Sequence, residues 1–145
     1  MSDVRRPDNR KRDLLARRDL FRQVEAFVQQ HGRVQLGREV PAAWRHRRNR
    51  TPGGCYAAAG RWAGTDGAVY TEGMAFTDDV PVDHAWLTDR DGEVIDLAWQ
   101  DPGERYLGVQ IPDREVKRLM CALAGKPRGA LLPLLLTEGW TPDPK

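Results

Sequence analysis

The sequence predicts an α+β domain, and three observations carry that expectation. Apolar residues recur at helical spacing over residues 10–31. From residue 68 the texture changes to short β-type runs separated by turn residues. A second amphipathic stretch follows those runs at residues 113–124. The order helix, strands, helix suits helices laid against an antiparallel sheet.

Each element has its own reason. Residues 1–9 hold little that is apolar and are expected to be a tail, with Pro7 breaking any helix. Leu14, Phe21, Val24 and Val28 then mark the buried stripe of a first helix, with Arg17, Arg18 and Arg22 on its polar face and Gly32 as its stop. Residues 33–40 alternate weakly and fit a short edge strand or a loop. Pro52-Gly53-Gly54 signals a turn, and the small residues Ala57, Ala58, Ala59 and Gly60 after Cys55 fit a closely packed helix. Four strands are expected: residues 68–76, 84–89, 93–99 and 105–111. The helix at 113–124 would take Asp113 as its N-cap and bury Cys121. Residues 130–140 are apolar and, because of Pro133, could be helix or edge strand. The expected organisation is one domain over residues 10–140, with tails at 1–9 and 141–145.

Composition narrows the classes. The chain has 145 residues, 40% hydrophobic and 30% charged. That is enough to bury a core without disulfides and too apolar for disorder. No apolar run approaches the roughly 20 residues of a membrane span, and no apolar segment follows the charged start as in a secretory signal. The expectation is a cytoplasmic protein with no membrane partner. His31, His46 and His84 share no ligand spacing with Cys55 and Cys121, so no metal is implied. Charge is uneven: residues 1–52 hold 14 basic and 6 acidic residues, within a chain of net charge +2. Arg45, Arg47, Arg48 and Arg50 beside Trp44 could grip a nucleic-acid backbone. The alternative is a solvated loop with Trp44 anchored in the core.

Cys55, His84 and Asp96 stand out as chemistry. A nucleophilic cysteine acts as its thiolate. Cys55 sits where a helix begins, and the positive end of the helix dipole favours an anion there. A histidine can take the thiol proton, and a third group must fix its tautomer. Strand parity places the last two together. If Arg90-Asp91-Gly92 is a three-residue hairpin loop with Gly92 in the left-handed region, Asp89 faces Glu93 and Trp86 faces Asp96. His84 and Asp96 are then diagonal neighbours on one face. That face would carry His84, Trp86, Val94, Asp96 and Ala98. The other would carry Ala85, Leu87, Ile95, Leu97 and Trp99. The Cys55 helix must cover the first face to bring the thiol to His84, leaving the terminal helices for the second.

Gly-Gly-Cys55 opening a small-residue helix, His84-Ala85-Trp86 on a strand and Gly92-Glu93-Val94-Ile95-Asp96 on the next resemble the transglutaminase-like branch of the papain-like cysteine superfamily. The match spans about residues 50–112. Cys55-Tyr56, Tyr70-Thr71-Glu72-Gly73 and Tyr106-Leu107-Gly108-Val109 are also similar to segments of small phage and bacterial proteins. The resemblance implies a Cys-bearing helix packed on an antiparallel sheet of about four strands. It also implies a Cys55, His84, Asp96 triad for thiol-dependent acyl transfer or hydrolysis of an amide or ester. The substrate would be a protein, a peptide or a small amide or ester, and no cofactor is implied. Peptidase, amidase, deamidase and transglutaminase chemistry stay open. So does a binding or assembly protein that keeps the fold without catalysis. Asn49 is a candidate second oxyanion donor, or a turn residue. Glu72, Trp86 and Tyr56 are candidate cleft-lining residues, Glu72 alternatively an outward-facing strand residue.

Overall fold

A computed structural model of the chain describes residues 7–123 and 129–142, with side chains from residue 16 onward. Helix α1 spans Pro7–His31, β1 Arg33–Leu36, α2 Cys55–Trp62, β2 Val69–Thr77 and β3 Val80–Thr88. They are followed by β4 Val94–Ile95, β5 Arg105–Ile111, α3 Asp113–Ala122 and α4 Leu132–Thr137. Among the described residues no helix is long and apolar enough to cross a membrane. The sheet is antiparallel and has five strands in the order β1-β5-β2-β3-β4. The expected α+β architecture is present, with one strand more than expected because residues 33–36 pair with β5.

The boundaries differ where local chemistry permits. Pro7 opens α1 instead of breaking a helix, since a first-turn proline loses no helical hydrogen bond. The remaining expected tail residues, 1–6 and 143–145, lie outside the described residues, as does the side chain of Leu14. Pro133 likewise sits in the first turn of α4 and resolves residues 130–140 as helix. Pro112, not Asp113, occupies the N-cap of α3, and Asp113 pairs with Lys117 one turn on at 2.7 Å.

All the helices contribute to one face of the sheet. Val28 of α1, Ala58 and Ala59 of α2, Val116 and Leu119 of α3, and Leu132 and Leu135 of α4 bury against Tyr70, Ala85, Leu87, Val109 and Ile111. This overturns the expectation that α2 covers the His84 face. Strand alternation puts Ala85 and Leu87 opposite His84 and Trp86, and α2 lies on the Ala85 side, mainly along β3. Two expected core residues are also displaced. Phe21 is 60% exposed, because α1 narrows its contact to Val28 with Val24 and Phe27 beside it. Cys121 is exposed, because α3 turns Val116 and Leu119 inward and carries position 121 round to solvent.

The second face closes on itself. β1 and β4 are opposite edges of the sheet, yet the Gln35 side chain donates to Gly92 O at 2.8 Å and accepts from Trp86 Nε1 at 2.9 Å. Arg38 donates to Val94 O at 2.7 Å and pairs with Asp89 and Glu93 at 2.7 and 2.6 Å. The sheet therefore curls until its edges meet. Ala75, Trp86, Val94 and Tyr106 fill the interior with Trp99 beside them. Gly108 makes room for Trp86: a Cβ there would stand 2.6 Å from the indole ring.

Candidate active site

The hairpin between β3 and β4 has the expected register. Leu87 pairs with Ile95 and Thr88 with Val94, and the Asp89 amide donates to Glu93 O at 2.9 Å. Gly92 has φ +81°, the left-handed conformation the three-residue loop requires. His84 Nε2 consequently meets Asp96 Oδ2 at 2.8 Å, with both residues 1% exposed. The carboxylate can only accept, so Nε2 carries the proton and Nδ1 does not face Asp96.

Pairing of β3 with β4 ends at Leu87, which leaves the β3 edge beside His84 unpaired by that strand. Cys55, the first residue of α2, lies near enough to His84 to help raise the pKa of the ring. Burial works against a charged ring, but the Asp96 hydrogen bond and the Cys55 thiol outweigh it. The His84 pKa is pushed up to about 9. As a helix-opening residue Cys55 has no intrahelical acceptor for its N–H, which suits it to an oxyanion.

Beyond β4 the alternation of faces stops. Asp96 Oδ1 accepts from the Ala98 and Trp99 amides at 3.1 and 3.2 Å, and this turn redirects the chain. Trp99 therefore stacks on His84, ring centroids 4.0 Å apart, instead of lying on the opposite face. Ala98 packs with the helix-side core instead of lying beside His84. Asp96 Oδ2 also accepts from the Tyr106 hydroxyl at 2.7 Å. Sequence reasoning missed both aromatic neighbours. The Asx turn in Asp96-Leu97-Ala98-Trp99 was a usable signal for Trp99. Tyr106 comes from β5, two strands from β3, and only the curl of the sheet brings it over Asp96.

The other candidates separate. Trp86 is fully buried with its N–H on Gln35, so it belongs to the interior and not to a cleft wall. Glu72 is buried instead of facing outward, and it lines the same small cavity as Tyr56. It accepts from Tyr70 Oη at 2.6 Å and from the Leu131 and Leu132 amides at 2.8 and 2.9 Å, holding the start of α4. Burial pushes its pKa up to about 7, with those three donors opposing the rise and Asp83 adding to it. Tyr56 is half-buried beside Cys55 and lines a cavity of about 90 Å³ with Val24, Met74, Asp83 and Leu132. A second cleft of about 240 Å³ opens at the Asp96 end, lined by Arg45, Arg48, Asp96 and Trp99. Asn49 behaves as a turn residue. Its Oδ1 accepts from the Thr51 backbone N–H and hydroxyl at 3.1 and 2.7 Å, and its backbone N–H donates to Leu97 O at 2.9 Å.

The basic stretch is partly engaged within the fold. Trp44 is buried, and the Arg47 guanidinium lies 4.3 Å from its ring, 4.8 Å from that of Trp62 and 3.3 Å from Asp66. Arg45 and Arg50 are exposed and Arg48 is half-buried. Searches of family models, curated proteins and solved structures return no match to this chain.

Proposed function

We propose that the chain is a cysteine-dependent hydrolase or acyltransferase acting on an amide or ester, similar to the transglutaminase-like enzymes. The observation that carries this reading is a single buried imidazole with Asp96 on Nε2 and the Cys55 thiol near the same ring. In the reaction Cys55 Sγ attacks the acyl carbon after its proton has passed to His84. The Cys55 amide N–H faces the oxyanion of the tetrahedral intermediate. His84 gives its proton to the departing amine or alcohol, leaving a thioester. An incoming water or amine loses a proton to His84, attacks the thioester carbon and releases the thiolate. Asp96 holds the ring and supports the imidazolium throughout.

The test compares the two thiols. Iodoacetamide at pH 6, followed by peptide mass analysis, should label Cys55 far faster than Cys121. The exposures run the other way, since Cys55 is 9% exposed and Cys121 is open to solvent. Faster labelling of Cys121 would remove the nucleophile. A second reading draws on the closure of the site. His84 is 1% exposed under Trp99, as suits a binding or assembly protein that keeps the trio as packing. In that case Cys55 labels no faster than Cys121.

A further inference from the structure

We propose that Tyr106 is a positioning residue of the triad, its hydroxyl clamping Asp96 Oδ2 in line with His84 Nε2. This rests on the triad reading above. Asp96 accepts four hydrogen bonds, two on each oxygen. The Oδ1 donors are backbone amides from the next turn of chain, which hold the carboxylate at one oxygen only. Around that oxygen the group can still swing. A donor on Oδ2 other than His84 removes the freedom, and Tyr106 is that donor at 2.7 Å.

The hydroxyl is itself directed. It accepts from the Gly103 amide at 2.8 Å, so its own proton is left for Asp96. The ring is fully buried and meets Trp86 edge-on, centroids 4.9 Å apart at 62°. Burial, and then the Asp96 charge, raise the phenol pKa well above its usual value, so it remains a donor. The 96–106 segment is thus tied to one carboxylate at both ends, with Trp99 of that segment lying over the imidazole. A tyrosine serving only to fill the interior needs its ring there, and Phe would supply that.

Tyr106→Phe in the full chain removes the oxygen alone. The readout is the titration of the His84 ring followed by its 15N resonances, with the Cys55 alkylation rate at pH 6 beside it. With the clamp gone the ring loses part of its support. Its midpoint should fall by about one pH unit, the scale of one charge-assisted hydrogen bond. At pH 6 the ring stays protonated with either midpoint, so the alkylation rate there should hold and shows that the thiol is still paired. An unmoved midpoint overturns the proposal. So does a rise, which would mean that the phenol only competes with His84 for the carboxylate charge. If the Phe variant does not fold, 3-fluorotyrosine placed at position 106 keeps ring and hydroxyl while making a more acidic donor. A tighter clamp must then raise the midpoint, and a fixed or lowered one overturns the proposal. Wild-type Cys55 labelling no faster than Cys121 sinks the triad and this inference together. A fast wild type with an unmoved variant sinks Tyr106 alone.

Discussion

Asp96→Asn tests the chemistry most directly, because the four hydrogen bonds dictate how an amide would sit. The Asn oxygen takes the Oδ1 position, where the Ala98 and Trp99 amides both donate. The Asn nitrogen is then left 2.8 Å from His84 Nε2 and 2.7 Å from the Tyr106 hydroxyl. Two N–H groups would face each other there unless His84 gives up its Nε2 proton. The ring must become neutral and carry its proton on Nδ1, which is the wrong tautomer for a base. Burial is then opposed chiefly by the thiol, and the His84 midpoint should drop from about 9 to below its usual 6.5. Without an imidazolium partner a cysteine stays almost wholly in the thiol form at pH 6, and only the thiolate is alkylated. Alkylation of Cys55 at pH 6 should fall by about two orders of magnitude. Loss of one charge-assisted hydrogen bond should cost about 1.5–3 kcal/mol of stability, leaving the domain folded. The assays are the pH dependence of alkylation, the ring titration and a urea midpoint. A variant that keeps the wild-type alkylation rate and a midpoint near 9 while losing stability would show that Asp96 only holds the fold.

Three further outcomes follow from the same geometry. Stability should decline from about pH 5 to pH 9.5 in urea midpoints. His84 has a folded pKa of about 9 above its unfolded 6.5, so its contribution is full below 6.5 and is lost through 9. Glu72, about 7 folded against 4.5, binds its extra proton between those values, so its contribution fades from 4.5 to 7. Glu72→Gln should flatten that lower part of the curve; an unchanged slope refutes the assignment. Val28→Ala should destabilise by about 1.5–3 kcal/mol and Phe21→Ala by less than about 1 kcal/mol, because only the first side chain is buried; denaturant midpoints in the reverse order would show that α1 docks through another face. Gly108→Ala should lower the melting temperature and alter the near-ultraviolet signal, since the methyl would press on Trp86; an unaltered spectrum would mean that the curl relaxes freely.

The hairpin was legible because its information is local. Gly92 permits one turn, and two-residue parity then carries Asp96 to the side of His84. Which side of the sheet each helix covers was not. Parity names two faces without saying which one curls inward, and the curl depends on Gln35 of β1 and Arg38 just after it reaching the far edge. Alternation also fails as a guide once a side chain caps the chain, as Asp96 does for Ala98 and Trp99. Glu72 shows the same limit: a carboxylate in an apolar strand signals a partner, but its partners are the amides of Leu131 and Leu132, about sixty residues on.

The stacking of Trp99 on His84 gives the protein an optical readout of its own proton. The two rings are 4.0 Å apart and inclined by 29°. A charged imidazolium accepts an electron from an excited indole at that range, whereas neutral imidazole does not. Trp99 emission should therefore be dim while His84 is protonated and brighten as the pH passes about 9. The chain has five tryptophans, and the part of the titration that disappears in Trp99→Phe belongs to this pair. Proton movement at the nucleophile could then be followed in a stopped-flow mixer with no label and before any substrate is known.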